Sequence, residues 1–499
     1  MSTLFMGLQT FIDEPILFVL LTAGVFFGMV FGAIPGLTAA LAVSLLLPFT
    51  FAMTAHQGIT TLIGVYVGGI SGGLIAAILL NIPGSPASLV TCFDGSPMAR
   101  KGHANDALTL GVFSSFVGGI MSAVLLMAIA PQLAKIALKF GAWEYFAMGL
   151  MGLSVVVSLC ADDKIKGFLS AIVGLVLAMV GMDAVSGIPR FTFEFWQLNG
   201  GLDTLDVLMG LFAMTEVLQQ LKTIDRKFAI MDPGKVKAVP TREMLKGTLK
   251  THIIGGLIGT FIGILPGIGQ TTASLMSYST NMQLSDHPEK FGTGITEGVV
   301  ASEVANNSCC GGALIPMMTL GIPGDLVTSI LLGGLIVHGL QPGPLLFTTS
   351  MDIIGIIFAA YLLSNIIMYV MEMGLMKVFI KLLKVPMNLL LPIILLMCVV
   401  GTITVNNRVF DSWVLLVVGV IGYFLVNNGF PLAPIVLGYI LGSIIESNMR
   451  TALISNQANF MSLFTKPISV GLLLFAVFMF VFPIILKKQN AKKQAAKAA

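Results

Sequence analysis

Four Pro-Gly pairs interrupt otherwise apolar segments, and polar side chains follow each of them. The pairs are Pro35-Gly36, Pro83-Gly84, Pro266-Gly267 and Pro323-Gly324. Proline removes a backbone donor and disfavours helix in the residue before it, while glycine permits an unusual turn after it. A helix that restarts after such a break has free N–H groups and the positive end of its dipole, which together bind carboxylates well. These residues therefore favour reversible binding of an anion.

Hydroxyl and amide side chains beside the breaks complete the predicted binding set. Such groups bond a carboxylate or coordinate a cation without the cost of burying a charge. Their simpler role is to cap the restarted helices, which is compatible with ligand binding. The predicted substrate-binding residues are Pro35, Gly36, Leu37, Thr38, Asn81, Pro83, Gly84, Ser85, Pro266, Gly267, Gly269, Gln270, Thr271, Thr272, Pro323, Gly324 and Asp325. Ser88 belongs to the same group of hydroxyl side chains.

A second set of candidates lies between Thr293 and Leu320. A carboxylate at membrane depth is costly and therefore a functional candidate. Glu303 and Asn307 are four residues apart, so a helix places them on one face. Asp325 follows the last Pro-Gly pair, where it can cap a helix, accept a proton or help to hold a cation. The predicted ion-coupling residues are Glu303, Asn306, Asn307 and Asp325. Glu297 is either a further member or a solvated residue at the membrane edge.

The composition decides which elements position these residues. The chain has 499 residues, of which 56% are hydrophobic and 10% charged, and its mean hydropathy is +0.95. A soluble domain carries about 25% charged residues, so a cytosolic fold is excluded. One span takes roughly 20 apolar residues, and recurring apolar runs predict an all-α polytopic membrane protein of about 11 to 13 segments. The first segment has no preceding cation, so no cleavable signal peptide is expected.

The five cysteines, Cys92, Cys160, Cys309, Cys310 and Cys398, lack metal-ligand spacing. They are expected to be small buried hydrophobes. No cofactor is predicted, and no metal beyond a transported sodium ion.

One pattern occurs twice along the chain. The first copy carries Gly24, Gly28, Gly32, Pro35 and Gly36. The second carries Gly255, Gly259, Gly263, Pro266 and Gly267, each displaced by 231 residues. A second pair of motifs joins Ser71-Gly72-Gly73 to Pro83-Gly84 and Cys310-Gly311-Gly312 to Pro323-Gly324, with one residue of difference in spacing. Paired interrupted helices in two halves indicate the binding site of a secondary transporter. The rival interpretation is that the breaks only kink two helices for packing.

Charge placement predicts the topology. Between Lys222 and Lys246 there are seven Lys or Arg against three acidic residues, and the tail after Leu486 holds five Lys and no acid. The positive-inside rule places both in the cytoplasm, and the cation-free N-terminus outside. Nucleic-acid binding is not expected of these segments. The predicted domains are a first membrane repeat (1–221), a basic cytoplasmic linker (222–247), a second repeat with C-terminal spans (248–486) and a cytoplasmic tail (487–499). Inverted repeats are favoured, and parallel repeats stay open.

Three further motifs have competing interpretations. Asp94 to Pro97 and Arg100 to His103 are predicted to form a polar turn in a cytoplasmic loop, although Arg100 or Lys101 could meet an anionic substrate. His338 and Gly339, with the Pro-rich segment 341–344, indicate a helix end and a rigid turn. Gly69 to Gly72 fits the GxSG motif of intramembrane serine hydrolases, but Ser71 has no evident paired base. We therefore predict that the chain is not an enzyme and keep a hydrolase as a remote alternative.

The ordered motifs resemble the TctA family, the large membrane subunit of tripartite tricarboxylate transporters. The matching stretches, which span nearly the whole chain, are 32–37, 81–86, 94–102, 267–269, 296–300, 305–307, 311–316, 321–324, 338–344, 431–434 and 437–438. The resemblance implies a bacterial inner-membrane symport of a tricarboxylate, dicarboxylate or related acid, driven by sodium or protons. It also implies a small TctB-like membrane subunit and a periplasmic TctC-like binding protein. The two Pro-Gly loops would face each other at the substrate site, and an elevator-like movement is a hypothesis. A homodimer stays open, as does a channel or exporter of organic anions.

Two departures from the family pattern affect the expected substrate. Ala301-Ser302-Glu303 stands where the family often has Ala-Pro-Glu, and Asp325 stands where it often has a small hydroxyl residue. A carboxylate at position 325 repels a trianion unless it is protonated or neutralised by a cation. A less highly charged carboxylate is therefore expected.

Overall fold

The computed structural model describes residues 2–159, 164–183, 186–223, 230–231, 234 and 239–478. Within these ranges the α-helices are α1 (Ser2–Asp13), α2 (Ile16–Ala33), α3 (Ala39–Thr50), α4 (Ala55–Leu80), α5 (Thr91–Met98), α6 (Ala104–Ala137), α7 (Ala142–Leu159), α8 (Lys164–Ala178), α9 (Thr204–Met209), α10 (Thr215–Gln220), α11 (Arg242–Leu245), α12 (Leu249–Ile264), α13 (Gly269–Leu284), α14 (Thr296–Leu320), α15 (Leu326–Val337), α16 (Leu346–Thr349), α17 (Met351–Leu382), α18 (Met387–Asn406), α19 (Val409–Asn427), α20 (Leu432–Ser455) and α21 (Pro467–Phe478). Short 3₁₀ or π turns occupy Pro86–Ser88, Ala99–His103, Trp196–Leu198, Gly210–Met214, Leu221–Thr223, Pro288–Lys290 and Phe460–Thr465. The strands of the same ranges are β1 (Gly181–Met182) and β2 (Pro189–Arg190), which form an antiparallel hairpin.

Seven helices among the described residues are long and apolar enough to cross a bilayer. They lie at Ile16–Ala33, Ala55–Leu80, Thr91–Ala137, Met351–Leu382, Met387–Thr404, Val409–Asn427 and Leu432–Ser455. Four shorter apolar helices, α3, α12, α15 and α21, accompany them. The predicted all-α polytopic membrane fold is thereby confirmed. The span count of 11 to 13 stays a prediction, because broken helices fall below the length of a full span.

Parts of the predicted linker and tail lie outside the described residues. These are the cations Arg226, Lys227, Lys235 and Lys237, the whole Lys-rich tail 487–499 and, elsewhere in the chain, Cys160. The cytoplasmic placement of both basic segments stays a prediction.

The chain divides into two compact units. The larger unit comprises Met1–Ala134 and Leu205–Tyr423, and the smaller unit comprises Lys135–Thr204 and Phe424–Ala499. Each unit draws residues from both predicted membrane repeats. The linker predicted at 222–247 separates two sequence repeats, which are not the same as the two compact units. The division into repeats stays a prediction.

Glycines bring α2 and α4 of the larger unit into backbone contact. A Cβ atom at Gly28 would lie 2.2 Å from the Val65 carbonyl oxygen, and one at Gly32 would lie 2.3 Å from that of Gly69. Only glycine fits at such distances, which is the reason small residues recur every fourth position in closely packed membrane helices.

The pair α12 and α14 repeats this packing. A Cβ atom at Gly259 would lie 2.4 Å from the Ala305 carbonyl oxygen, and one at Gly263 would lie 2.4 Å from that of Cys309. Gly32 thus meets Gly69, and Gly263 meets Cys309. The helix packing therefore makes Cys309 the equivalent of Gly69, 240 residues later. The sequence motifs alone align Ser71 with Cys310, 239 residues later, whereas the offset of 240 aligns Ser71 with Gly311.

The helices break at all four Pro-Gly pairs of this unit, and two of these breaks follow the repeated glycine pattern. The first separates α2 from α3, with a turn in which the Leu37 N–H donates to the Ile34 carbonyl at 3.1 Å. The second separates α12 from α13. Polar α13 lies against α14, where the hydroxyls of Ser274 and Ser277 donate to the carbonyls of Ser302 and Ala301 at 3.1 and 2.7 Å. These bonds satisfy the polar side chains of a helix that is too polar to face lipid.

The prediction of a polar turn at Asp94–Pro97 and Arg100–His103 is wrong for the first segment, because these residues belong to α5. The second segment lies in the π-helical stretch Ala99–His103, which joins α5 to α6 across a kink. The change of direction is concentrated at Gly102, whose φ is 89°.

The smaller unit is built on α7, α8 and α20. A Cβ atom at Gly174 would lie 1.9 Å from the Ile435 carbonyl oxygen, so α8 and α20 also pack backbone to backbone. A network of four charged side chains ties the β1–β2 hairpin to α20. Its nitrogen–oxygen distances are Arg190–Glu446 2.7 Å, Arg190–Asp183 3.3 Å, Arg450–Asp183 2.8 Å and Arg450–Glu446 2.7 Å.

Valine at Gly28 or Gly259 is expected to separate the helix pairs, because either Cβ would overlap a carbonyl oxygen. Overpacking of this kind costs about 1–3 kcal/mol or more. Thermal unfolding of the purified protein in detergent measures the loss. Gly374→Val is the matched control, since a Cβ atom there meets nothing within 4 Å. An unfolding temperature for Gly28→Val equal to that of Gly374→Val would contradict the proposed packing.

Candidate substrate and ion site

Asp325 is the centre of a buried hydrogen-bond cluster. It caps α15, because its Oδ1 accepts from the backbone N–H and the hydroxyl of Thr328 at 2.6 and 2.7 Å. Its Oδ2 accepts from the Tyr66 hydroxyl and from the Gln270 side-chain amide. We call Tyr66, Gln270, Asp325 and Thr328 the Asp325 cluster. Since Asp325 is only 4% exposed and both oxygens have two donors, its carboxyl group is satisfied within the protein.

The Asp325 cluster joins residues of both sequence copies. Tyr66 lies in α4 of the first copy, whereas Gln270 and Asp325 belong to the second. A Cβ atom at Gly334 in α15 would lie 2.9 Å from Leu62 and 3.2 Å from Leu47, so α15 also packs on α3 and α4. The structure thus places two of the predicted residues, Gln270 and Asp325, in direct contact.

The position equivalent to Asp325 in the first copy is Ser85, 240 residues earlier. Ser85 precedes the short helix Pro86–Ser88 and is 4% exposed, yet its hydroxyl oxygen has no hydrogen-bond partner among the described residues. The Ser88 hydroxyl beside it donates to the Ser85 carbonyl at 3.0 Å. A buried polar atom without a partner requires an explanation, and a missing ligand is one.

Asn306 is likewise 240 residues after Tyr66 and therefore equivalent to it. It is fully buried in α14, and neither its side-chain oxygen nor its nitrogen makes a hydrogen bond of normal geometry. Its amide lies near the Glu303 carboxyl group. The hydrogen bond that joins Tyr66 to Asp325 thus has no counterpart at the equivalent positions, Asn306 and Ser85.

Glu303 lies in a second polar cluster on α14. Its carboxyl group accepts from Thr91 Oγ1, from the Ser115 hydroxyl at 3.0 Å and from the Asn307 side chain at 3.4 Å. We call Thr91, Ser115, Glu303 and Asn307 the Glu303 cluster. The bond to Asn307 is the i, i+4 contact expected from the sequence. Glu303 is 0% exposed, and donors from α5, α6 and α14 surround it.

The loops at the four breaks pair within each copy. A Cβ atom at Gly84 would lie 2.4 Å from the Gly32 carbonyl oxygen, and one at Gly324 would lie 2.5 Å from that of Gly263. The Gly267 N–H donates to the Gly324 carbonyl at 2.8 Å. Within each copy, the loop at the second Pro-Gly pair therefore packs against the end of the helix that precedes the first Pro-Gly pair.

The remaining predicted residues lie on these loops. Thr38 caps α3, with its hydroxyl accepting from the Leu41 N–H at 3.1 Å. Thr271 and Thr272 are half-buried in the first turn of α13. Gly36, Gly267 and Gly269 have φ values of 85°, 75° and 72°, and Asn81 has 57° at the end of α4. Pro35, Leu37, Pro266 and Pro323 are buried, and Pro83 is half-buried. That the two Pro-Gly loops face each other stays a prediction.

Other candidates lie in different surroundings. Glu297 is half-buried in the first turn of α14, beside Lys250 and Asp286 in a polar pocket. Arg100 is exposed, and Lys101 donates to the Thr293 carbonyl at 2.7 Å. His338 contacts the Thr50 hydroxyl at 3.3 Å. The position of Glu297 is consistent with a solvated residue at the membrane edge.

Ser71, the serine of the GxSG motif, is bonded to a carboxyl group. Its hydroxyl lies 2.6 Å from Oε2 of Glu372, a fully buried residue of α17. A nucleophilic serine needs a base that takes its proton and is itself oriented by a third group. No such arrangement with histidine surrounds Ser71 in the described part of the chain.

Sequence reasoning missed three residues of this unit. Asp94 holds the turn before α14, because its oxygens accept from the N–H groups of Gly292, Gly294 and Ile295 at 3.1, 2.6 and 3.0 Å and from the Tyr278 hydroxyl at 2.6 Å. Gln220 donates to the Gly36 carbonyl at 3.0 Å. Glu372 had a signal, since it is a single glutamate inside a long apolar run.

These clusters suit reversible binding rather than bond making. They supply hydroxyl and amide groups, helix N-termini and two buried carboxyl groups. Among the described residues no group of three or more His, Cys, Asp or Glu is arranged to hold a metal ion.

Fold and site together define a polytopic α-helical membrane protein with polar clusters at paired helix breaks. Residues 18–437 match the Tripartite tricarboxylate transporter TctA family. The chain belongs to this family, which confirms the resemblance seen in its motifs.

Two relatives come from Agrobacterium vitis. One is described as an uncharacterized 52.8 kDa protein in the TAR-I ttuC' 3' region and is 34% identical over 493 residues, which is 98% of each chain. The other, an uncharacterized protein in the TAR-II ttuC' 3' region, is 34% identical over 235 residues, 46% of this chain and 97% of the relative. No solved structure matches.

Asp325→Ala is expected to destabilise the protein more than Thr38→Ala. The Asp325 change removes a helix cap, worth about 0.5–2 kcal/mol. It also leaves buried donors on Tyr66 and Gln270 unpaired, at about 1–3 kcal/mol each. Thr38→Ala removes one cap bond only. The unfolding temperature of Asp325→Asn should fall between those of Asp325→Ala and Thr38→Ala. Thermal unfolding without substrate measures the order, and equal unfolding temperatures for Asp325→Ala and Thr38→Ala would contradict the cluster.

Proposed function

We propose that this chain is the large membrane subunit of a binding-protein-dependent secondary transporter that imports a carboxylate. Membership of the TctA family supports the class. The observation that carries the proposal is that two buried side chains make no hydrogen bond of normal geometry: that of Ser85, which precedes the restarted helix at Pro86–Ser88, and that of Asn306 in α14. Burying such groups without partners costs about 1–3 kcal/mol each, a cost that substrate binding recovers.

The substrate is a carboxylate of low charge. Hydroxyl groups, an amide and helix N-termini bind carboxylates through neutral donors. Asp325 and Glu303 are buried carboxyl groups within the same unit, and like charges raise the cost of a highly charged anion. Among tricarboxylates, dicarboxylates and related acids, this charge distribution favours the less charged members.

A sodium or proton gradient drives uptake. The residues proposed for coupling are Glu303, Asn306, Asn307 and Asp325. Sodium would take carboxylate, amide and hydroxyl oxygens, whereas a proton would neutralise one carboxyl group. Measuring uptake with a sodium gradient alone and again with a proton gradient alone distinguishes sodium coupling from proton coupling.

The working complex includes two partners. By family membership these are a small TctB-like membrane subunit and a periplasmic TctC-like binding protein. We place the chain in the bacterial inner membrane, with the C-terminus in the cytoplasm and the N-terminus in the periplasm, in keeping with the positive-inside rule. An elevator-like movement of the paired breaks is the proposed transport step. A channel or exporter is the competing function, and only a coupled importer accumulates labelled substrate against its gradient in proteoliposomes.

Ser85→Ala and Asn306→Ala are expected to weaken uptake without destabilising the protein. Neither change removes a hydrogen bond of normal geometry, so the unfolding temperature should stay unchanged or rise. The half-saturation concentration should increase about ten-fold, equivalent to about 1.4 kcal/mol. Uptake and thermal unfolding are measured on the same preparations, with the TctC-like protein present.

Ser277→Ala is the matched control for these two variants. Its buried hydroxyl is bonded to the Ala301 carbonyl, so its loss should lower the unfolding temperature and leave the half-saturation concentration unchanged. If Ser85→Ala behaves like Ser277→Ala, the unsatisfied side chains do not bind substrate.

The Pro-Gly breaks provide an independent test. Replacing Pro35 and Gly36 together by alanine, or Pro266 and Gly267, forces a positive φ on a non-glycine residue at about 1–3 kcal/mol. Distorted loops should lower uptake about ten-fold or more at normal expression. Gly339→Ala imposes the same strain, at a φ of 74°, outside these loops. Unchanged transport in both double variants would refute the paired-site proposal.

A further inference from the structure

One further buried carboxyl group in the larger unit, that of Glu372, has no part in the proposed substrate site. Glu372 lies in α17, ten residues before the end of that helix, which is about 15 Å at 1.5 Å per residue. It is 0% exposed. Only Oε2 has a partner, Ser71 of α4, while Oε1 makes no hydrogen bond in the described part of the chain.

Among the described residues no lysine or arginine forms an ion pair with Glu372. The helices that pack most on α17 are α1, α2, α4 and α16, and α6 and α14 also approach it, where Asn365 meets Gly119 and where the Tyr361 hydroxyl donates to the Asn307 carbonyl. The ionisable side chains on α17 and these helices are Asp13 of α1, His56 and Tyr66 of α4, Asp106 and Lys135 of α6, Glu297, Glu303, Cys309 and Cys310 of α14, and Asp352, Tyr361, Tyr369, Glu372, Lys377 and Lys381 of α17. Glu303 of α14 also interacts electrostatically with Glu372, and it is a like charge. Lys377, one to two turns away, is exposed.

The two buried glutamates therefore have opposite surroundings. Glu303 has donors from Thr91, Ser115 and Asn307, which suit a carboxylate anion. Glu372 has one hydroxyl neighbour and would, if ionised, hold a negative charge in a low-dielectric interior with a like charge nearby. When the surroundings of two acids differ in this way, one acid favours the ionised form and the other favours the neutral form.

A neutral Glu372 satisfies the local hydrogen bonds better. Protonated at Oε2, it would donate to the Ser71 oxygen, and the Ser71 hydroxyl would then donate to a backbone carbonyl one turn earlier, as serine in helices commonly does. The carbonyl oxygen Oε1 is then the one unpaired atom, and an unpaired carbonyl is less costly than an unpaired charge.

We propose that Glu372, with Ser71, is a proton-binding site at the contact of α4 with α17. In the state described here Glu372 is a carboxylic acid. On release, the O–H bond breaks, the proton passes to water, and Ser71 donates to the carboxylate that remains. The site's existence is independent of transport. Its use as the coupling site rests on the function proposed above.

Infrared spectroscopy of the full chain in proteoliposomes tests the site directly. The spectrum of the wild type minus that of Glu372→Gln should contain the carbonyl band of a protonated carboxylic acid, which shifts in heavy water and is lost at alkaline pH. Ser71→Ala should move this band to higher frequency, because the hydrogen bond to the acid is removed. A difference spectrum that contains only carboxylate bands overturns the proposal.

Two controls keep the test decisive. Glu289→Gln changes a glutamate whose side chain is 67% exposed, so its difference spectrum should contain carboxylate bands alone at neutral pH. If Glu372→Gln does not fold, Ser71→Ala retains the acid, and an unmoved carbonyl band in that variant overturns the proposal.

Proton movement during uptake separates this inference from the proposed function. Wild-type uptake should be accompanied by proton entry, and Glu372→Gln should lose that entry. Uptake with equal proton entry in both proteins refutes Glu372 as the coupling site while the transporter function stands. Absence of any uptake by the wild type refutes the function, and the infrared result then still decides the proton site.

Discussion

Backbone polar groups cannot remain unpaired in lipid, and the larger unit is organised around this constraint. Each Pro-Gly pair frees N–H and carbonyl groups at membrane depth, so each break has to be enclosed by protein. Glycine-lined contacts of α2 with α4 and of α12 with α14 bring the helices close enough to do so. Gly84 then lies against Gly32 and Gly324 against Gly263, and in the second copy the Gly267 N–H donates to the Gly324 carbonyl.

The two copies use the enclosed space differently. In the second copy Asp325 caps α15 and receives Tyr66 and Gln270, so its polar atoms are satisfied internally. At the positions equivalent to Asp325 and Tyr66, Ser85 of the first copy and Asn306 of the second are buried and make no side-chain hydrogen bond of normal geometry. The second copy thus closes its break with a side-chain carboxyl group, whereas under the proposed function Ser85 and Asn306 are the groups that a bound carboxylate would satisfy. The departure of Asp325 from the family pattern, which casts doubt on a trianionic substrate, is in structural terms an internal cap.

The predictability of this fold and site follows from the range of the interactions. Proline, glycine and hydrophobicity act locally, so the helix breaks, the capping by Thr38 and Asp325 and the membrane class could be predicted from the sequence. The i, i+4 contact of Glu303 with Asn307 is local as well. Asp94 binds N–H groups about 200 residues away, and Tyr66 meets Asp325 across 259 residues. No local pattern specifies such partners. For the same reason the sequence predicts a turn at Asp94, whereas the residue lies in α5 and its carboxyl group is buried by contacts with Tyr278 of α13 and with the turn before α14.

A structure of the chain with its carboxylate bound tests the central claim most directly. The ligand of the TctC-like protein supplies the compound. Carboxylate oxygens are predicted at hydrogen-bond distance, about 3 Å, from the Ser85 hydroxyl or the Asn306 amide, with the Asp325 cluster intact. A carboxylate bound elsewhere, with Ser85 and Asn306 still unpaired, would contradict the account.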